Sequence, residues 1–140
     1  MSRLRTLAQA IKVRLEEISE LAGNVVVYHR SNVETEFEKR MAKTRGKCAV
    51  IRLFRGKNQS RDKVKPRFRG LYSVTLFTVP VLTQKDAKDS DQLMEDIIGK
   101  LHGWWPSEVP SNGSIWCDCD SITYPEDSEY DVSVLTVETP

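Results

Sequence analysis

The sequence has few residues of the kinds that carry catalysis. Its 140 residues include two histidines, His29 and His102. It contains no nucleophile elbow, phosphate-binding loop, dinucleotide fingerprint or zinc-protease motif. His29 ends a predicted strand and His102 lies in the last turn of a predicted helix, and such positions are typical of surface or capping residues. We therefore expect a protein that is not an enzyme and that needs no cofactor.

Cysteine and long apolar runs are also scarce. The three cysteines, Cys48, Cys117 and Cys119, are an odd number for a disulfide framework, so we expect reduced thiols. The C-x-C spacing of the last two would point both thiols to one face of a strand. It lacks the C-x-x-C turn of zinc sites, so no metal is expected. No apolar run approaches the roughly 20 residues of a membrane span. The charged N-terminal stretch predicts no export signal.

Charge is abundant but unevenly distributed along the chain, although the net charge is only +1. Residues 39–69 hold thirteen Lys and Arg against one Asp, a balance of +12. Residues 86–140 hold thirteen Asp and Glu against two Lys, a balance of −11. Such polarity along one chain is typical of proteins that meet a charged partner or another copy of themselves.

Periodicity predicts helices and strands in alternation. Leucine, isoleucine and alanine recur every three or four residues and predict a helix over about 3–21. A short strand, "NVVVYHR", follows, and then a polar helix over about 33–43. A further helix is predicted within "DAKDSDQLMEDIIGKLHG", and Trp104 and Trp105 after it should cover the margin of the core. Two strands, "SIWCDCDSIT" and "YDVSVLTV", complete the order.

The strongest strand signals are "CAVIRLF" and "LYSVTLFTVPVL", which flank the cationic stretch "FRGKNQSRDKVKPRF". They predict a long antiparallel hairpin with a basic tip, and the second strand is apolar on both faces. The length suits one domain over 1–140. We expect an α+β fold of order α-β-α-β-β-α-β-β, in which two to three helices flank a mostly antiparallel sheet.

The basic hairpin allows three interpretations. It could bind nucleic acid, with the stretch 52–69 neutralising phosphates. It could meet an acidic region of a neighbouring subunit, and such a head-to-tail contact can close into a ring. It could also be a solvated loop without a partner. The predicted basic contact residues are Arg52, Arg55, Lys57, Arg61, Lys63, Lys65, Arg67 and Arg69. Their predicted acidic counterparts are Asp118, Asp120, Glu126, Asp127, Glu129 and Asp131.

The organisation of the chain resembles that of the tail terminator, or tail completion, proteins of tailed bacteriophages. The likeness rests on the amphipathic segment "LRTLAQAIKVRLEEI" leading into "NVVVYHR", and on the hairpin "CAVIRLFRGK…RGLYSVTLFTVPV". The helix "SDQLMEDIIGKLHG" and the closing strand "YDVSVLTVETP" extend it over nearly the whole chain. The helix over 33–43 and the Trp104-Trp105 loop have no counterpart in a family signature.

This resemblance implies a structural subunit of a ring, expected to be a hexamer, that caps the tail tube and stops its polymerisation. The ring would offer the docking surface for the head connector or sheath. Its partners would be further copies of itself, the tube protein and a head-tail joining protein, with no membrane. DNA would pass through the lumen transiently and without regard to sequence. The location implied is the virion tail or neck, after assembly in the host bacterial cytoplasm.

Overall fold

A computed structural model describes residues 3–27, 46–58, 68–78, 90–106, 117–126 and 131–139. Helix α1 spans Arg3–Leu15 and helix α2 spans Ser90–Leu101. The strands are β1 (Val25–Val27), β2 (Lys47–Asn58), β3 (Phe68–Thr78), β4 (Asp118–Thr123) and β5 (Asp131–Glu138). The predicted polar helix over 33–43, His29 and the hairpin tip, 59–67, lie outside the described residues.

The strands form one sheet in the order β1-β2-β3-β5-β4. The short β1 runs parallel to β2, and every other neighbouring pair is antiparallel. The predicted α+β class and the long hairpin are therefore confirmed: β2 and β3 pair from Lys47–Thr78 to Asn58–Phe68. The last strand in sequence, β5, lies between β3 and β4, which sequence patterns do not specify.

Both helices lie on one face of the sheet, called here the front face. Alternate residues of β3, namely Tyr72, Val74 and Leu76, are fully buried there against the helices. The helices contribute apolar stripes at the predicted three- and four-residue spacing. Their buried members include Leu7, Ile11, Leu15, Leu93, Ile97 and Leu101. The predicted role of Trp104 and Trp105 is also confirmed, because both are half-buried against this core.

The opposite face, called the back face, is less completely covered. Val26, Cys48 and Val50 form a second buried cluster there, with Phe77 half-buried against it. Leu71, which lies on the same face of β3, is half-buried. The apolar pattern of β3 on both faces is therefore matched by burial that is complete on the front face and partial on the back.

The predicted first helix, 3–21, was too long. Helix α1 ends at Leu15, and a separate 3-10 turn spans Ser19–Leu21. Between them, Ile18 has extended backbone angles (φ −75°, ψ 124°), which stop the α-helical hydrogen-bond ladder. The apolar spacing predicted too long a helix because Ile18 and Leu21 are still buried against the same core. Gly23 then takes a positive φ of 76°, a conformation that favours glycine.

Tyr72 joins the helix layer to the sheet. Its hydroxyl donates a hydrogen bond to the backbone carbonyl of Leu4 in α1. Its ring fills the space above Gly70, so that a Cβ atom at Gly70 would lie 2.6 Å from Tyr72 Cε2 and 3.1 Å from Leu4 Cδ2. The chain therefore needs glycine at this point to let α1 and the tyrosine ring lie close to β3.

We expect Gly70→Ala to lower the free energy of unfolding by about 1–3 kcal/mol, because the new methyl group overpacks the contact between Tyr72 and Leu4. The matched control is Gly99→Ala in α2, where a Cβ meets no atom within 4 Å. That change should raise the free energy of unfolding by about 0.5–1 kcal/mol through helix propensity. Urea denaturation of both variants measures the two effects. Equal effects of the two substitutions would contradict the packing described for Tyr72.

Candidate subunit interface

The β2–β3 hairpin is longer than the strands beside it. On one side, β5 follows β3 only as far as the pair Leu71–Glu138. On the other side, β1 lies beside Ala49–Ile51 only. The last three residue pairs of the hairpin, residues 56–58 with 68–70, therefore extend beyond the other described strands. We call these six residues the arm. Three residues of strand extend by about 10 Å.

Local irregularities set the base of the arm. The register of β2 shifts between Leu53 and Arg55, so that Phe54 is the extra residue of a β-bulge. Two glycines, Gly56 and Gly70, then face each other across the hairpin. Bulges bend and twist a strand pair, and glycine weakens it. The arm consequently begins at an irregular point of the hairpin, where the ring of Tyr72 packs over Gly70.

Exposed apolar side chains lie at this bulge. Leu53 is 40% exposed and Phe54 is 47% exposed, which is unusual for large apolar residues within a strand of a folded sheet. Leu53 lies opposite the fully buried Tyr72, so its position belongs to the front face but lies beyond the cover of the helices. The base of the arm therefore presents both apolar surface and an unusual strand geometry to its surroundings.

The predicted basic residues separate into two groups. Arg52 and Arg55 are exposed on the back face. Their backbone partners in β3, Ser73 and Leu71, alternate with the residues that are buried on the front face. Lys57 pairs with Arg69 in the arm. The other four predicted basic contacts, Arg61, Lys63, Lys65 and Arg67, lie outside the described residues.

The charge of Arg69 is engaged within the chain. Its guanidinium lies 3.2 Å from a carboxylate oxygen of Glu138, and its Nε donates to the carbonyl of Thr139 at 2.8 Å. Thr139 in turn donates to the Gly70 carbonyl through both its amide, at 2.9 Å, and its hydroxyl, at 3.2 Å. These bonds fasten the end of β5 to the base of the arm.

Sequence reasoning missed Glu138 as a functional residue. It could not place Glu138 beside Arg69, because the order of strands in the sheet is not visible in their patterns. The contact also shows that part of the charge asymmetry along the sequence is neutralised inside one molecule. Two exposed cations of this region, Arg52 and Arg55, lie on β2 at the opposite side of β3 from Glu138.

The predicted acidic residues are distributed over both ends of the β4–β5 hairpin. Asp118 pairs with Glu138 at the end nearest the arm, and Asp120 lies at a bulge two residues later. Both are exposed. Asp131 pairs with Thr78 at the far end, where the exposed Glu126 follows β4. Asp127 and Glu129 lie outside the described residues. The acids near the arm are thus Asp118, Asp120 and Glu138.

The start of β4 is held to the end of α2. Gly103 donates its amide to the Cys117 carbonyl at 2.8 Å, and Cys117 donates to the Trp104 carbonyl at 2.9 Å. The Cys119 amide donates to Nδ1 of His102 at 3.2 Å, so this nitrogen acts as an acceptor. Asp118 Oδ1 lies 3.6 Å from the same nitrogen. His102 thus supports the backbone of β4 through an exposed ring.

The thiols of Cys117, just before β4, and Cys119, within β4, are not activated. Burial raises the pKa of Cys117 to about 12, with a smaller contribution from Cys119, and burial raises the pKa of Cys119 to about 11. Thiols that stay protonated at neutral pH are poor nucleophiles. No disulfide joins Cys48, Cys117 and Cys119, all three of which the structure describes. Nor do the described residues bring three or more metal-binding side chains together.

A cleft of about 470 Å³ lies between the end of α1, the 3-10 turn and α2. Its charged groups bind one another: Glu17 accepts from Arg14 at 3.3 Å and from Lys100 at 3.2 Å. Arg14 also donates to the Lys100 carbonyl at 2.9 Å and lies over the ring of Trp104 at 5.4 Å. These contacts hold the two helices together across the cleft.

Comparison with known proteins adds no relatives: no protein-family model matches the chain, and no curated protein is significantly similar to it. Among the helices of the described ranges, none is both long and apolar enough to cross a membrane.

We expect the stability of the protein to fall between pH 9 and 12. Below pH 9.0, the ordinary pKa of a thiol, Cys117 is protonated in the folded and the unfolded chain. Above it, the unfolded chain releases the proton that the folded protein keeps up to about pH 12. Each such proton lowers the free energy of unfolding by up to about 1.4 kcal/mol per pH unit.

The measurement is urea denaturation at several pH values for the native sequence and for Cys117→Ala. The variant should be less stable at pH 8 but should lose stability less steeply above pH 9, which separates the thiol from lysine and tyrosine titration. Parallel pH profiles of the two proteins would contradict the assignment.

Proposed function

We propose that this protein is a structural subunit that assembles with copies of itself into a ring at the end of a phage tail tube. The observation that carries the proposal is the arm, a two-stranded extension whose base exposes Leu53 and Phe54. The resemblance of the sequence to tail terminator proteins supplies the setting: a ring that ends tube polymerisation and receives the head connector or sheath.

The physical argument begins with the instability of an isolated two-stranded ribbon. Hairpins without a third strand or a covering layer are marginally stable in water. Among the described residues, no third strand pairs with the arm beyond its base, where Thr139 and Glu138 bind Gly70 and Arg69. The arm also begins at a bulge and a pair of glycines that weaken it further. A contact that buries Leu53 and Phe54 would stabilise the arm and remove apolar surface from water.

A neighbouring copy fits this surface better than a small ligand does. The base of the arm exposes the apolar side chains of Leu53 and Phe54 on a strand, whereas ligand sites are concave with a few converging polar groups. The charges around it, Arg52 and Arg55 on one side and Asp118 and Asp120 on the other, are of opposite sign. Opposite charges on two sides of one subunit favour a head-to-tail contact over a symmetric one.

The alternative is a nucleic-acid-binding module, which the exposed Arg52 and Arg55 favour. The ion pair of Arg69 with Glu138 removes one of the predicted phosphate contacts. For a ring through which DNA passes, we expect weak binding of duplex DNA, with a dissociation constant of about 10⁻⁴–10⁻⁶ M. Fluorescence anisotropy with two unrelated duplexes, at low and physiological salt, measures it. Tight binding of one duplex but not the other would favour the alternative.

Self-association is tested by size-exclusion chromatography with light scattering, at low and high salt and with purified tail tube present. We expect an oligomer of defined mass. A monomer under all of these conditions would refute the proposed function. The salt series matters because exposed charge contacts weaken as the Debye length shortens from about 30 Å at 0.01 M to about 3 Å at 1 M salt.

Phe54→Ser should weaken this association by about 10- to 100-fold, because an aromatic side chain at the centre of a contact contributes about 1–3 kcal/mol to binding. It should leave the fold intact, since Phe54 is 47% exposed in the single subunit. The matched control is Val13→Ser, at a 67% exposed apolar residue of α1 away from the arm. Sedimentation equilibrium gives the dissociation constants. Equal weakening by both substitutions would place the contact elsewhere.

A further inference from the structure

The segment that follows α2 covers part of the outer edge of β4. In the described sheet β4 is the last strand, and β5 lies on its other side. Cys117 exchanges two backbone hydrogen bonds with Gly103 and Trp104, at 2.8 and 2.9 Å. Two residues later, the Cys119 amide donates to Nδ1 of His102 at 3.2 Å. Alternate residues of a strand direct their amides to the same side, so these bonds follow one edge of β4 and protect it from pairing with another strand.

The bond from Cys119 differs from the other two because its acceptor can itself gain a proton. A ring nitrogen of histidine accepts a hydrogen bond only while it carries no proton. The bond to Nδ1 therefore requires the neutral ring of His102 with its proton on Nε2. Once Nδ1 is protonated, both ring nitrogens are donors, and the Cys119 amide loses its acceptor. The two bonds of Cys117 join backbone groups, which do not titrate in this way.

Asp118, the residue before Cys119, favours the opposite state of the same ring. Its Oδ1 lies 3.6 Å from Nδ1 of His102, and an ionised carboxylate only accepts hydrogen bonds. Protonation makes the nitrogen a donor to this carboxylate and gives the two groups opposite charges. The side chains of His102 and Asp118 are 58% and 57% exposed, so the ring has room to turn from one partner to the other. Adjacent residues of β4 therefore favour different protonation states of one imidazole.

The other charged groups near this ring have partners of their own. Glu138, which pairs with Asp118 across the sheet, lies 3.2 Å from an arginine of β3. Lys100, two residues before His102, binds a glutamate just after α1 at 3.2 Å. The Cys119 thiol stays neutral at ordinary pH, because burial raises its pKa to about 11. The balance between the two states of the ring is therefore set by the Asp118 carboxylate and the Cys119 amide.

From these contacts we infer that His102 is a proton-dependent switch at the outer edge of β4. The neutral ring holds the Cys119 amide and closes the edge at that residue. The protonated ring turns to Asp118 and leaves the amide open. Histidine is the side chain whose charge ordinarily changes between pH 5 and 8, so a modest acidification operates the switch. The inference is independent of the proposed function, because every contact that it uses lies within one chain.

NMR spectroscopy of the ¹⁵N-labelled full chain at pH 8 and pH 5 tests the switch. The sequence has two histidines, so the signals that His102→Gln removes are those of His102. At pH 8, its Nε2 should carry a proton and its Nδ1 none. At pH 5, both nitrogens should be protonated and the Cys119 amide signal should shift. The protection of this amide against hydrogen exchange should fall by about 2- to 10-fold, after correction for the intrinsic effect of pH, because one hydrogen bond is lost.

Two variants separate the partners of the ring. In His102→Gln, the Cys119 amide should no longer respond to pH, because glutamine has no proton to gain. In Asp118→Asn, the response should need a pH lower by about 0.2–0.7 units, since the partner of the protonated ring is gone. The matched control is Asp91→Asn, at an exposed carboxylate in the first turn of α2, which should leave the response unchanged.

Three results would overturn the switch. The first is a proton on Nδ1 at pH 8, and the second is a Cys119 amide that stays the same while His102 is protonated. The third is an equal effect of the Asp118 and Asp91 substitutions. Circular dichroism at both pH values checks that each variant is folded.

Discussion

The contact of Tyr72 with Gly70 and Leu4 is the constraint on which the rest of the structure depends. Tyr72 lies in the central strand, and its backbone pairs with Leu53 of β2 and Val137 of β5. Its ring excludes water from the front face, and its hydroxyl holds the first turn of α1. Because the ring covers Gly70, it also supports the point at which the arm leaves the sheet. One side chain therefore joins the helix layer, the centre of the sheet and the base of the arm.

The sequence was sufficient to predict the elements that bury one regular face. The hairpin, β5, α2 and the fold class follow from period-two and helical patterns whose apolar members prove to be buried, such as Val74 and Ile97. The end of α1 was predicted wrongly because Ile18 and Leu21 remain buried after the helix stops. Apolar residues are therefore still buried at helical spacing beyond Leu15, although the backbone there no longer has α-helical hydrogen bonds.

The candidate interface could be predicted only in part. The cationic and acidic stretches are evident in the sequence, but their positions depend on the order of strands, and that order is set by long-range contacts. Arg69 is engaged by Glu138, whereas Arg55 and Asp118 lie at opposite sides of the sheet. The bulges at Phe54 and Asp120 could not be predicted from the sequence, because neither bulged residue is a proline or a glycine. Charge along the chain thus indicated a partner without indicating how the charges are arranged.

The place of β5 in the sheet has a consequence for how the protein is made. β4 precedes β5 along the chain, yet in the described sheet β5 is its only neighbour and separates it from β3. While a ribosome synthesises the protein, β4 therefore emerges before the strand that can hold it, and β3 keeps an open edge. The strand synthesised last, β5, inserts between β3 and β4 and completes the front core with Leu135 and Val137. A nascent chain should thus gain protease resistance late and in one step, when residues 131–139 leave the exit tunnel.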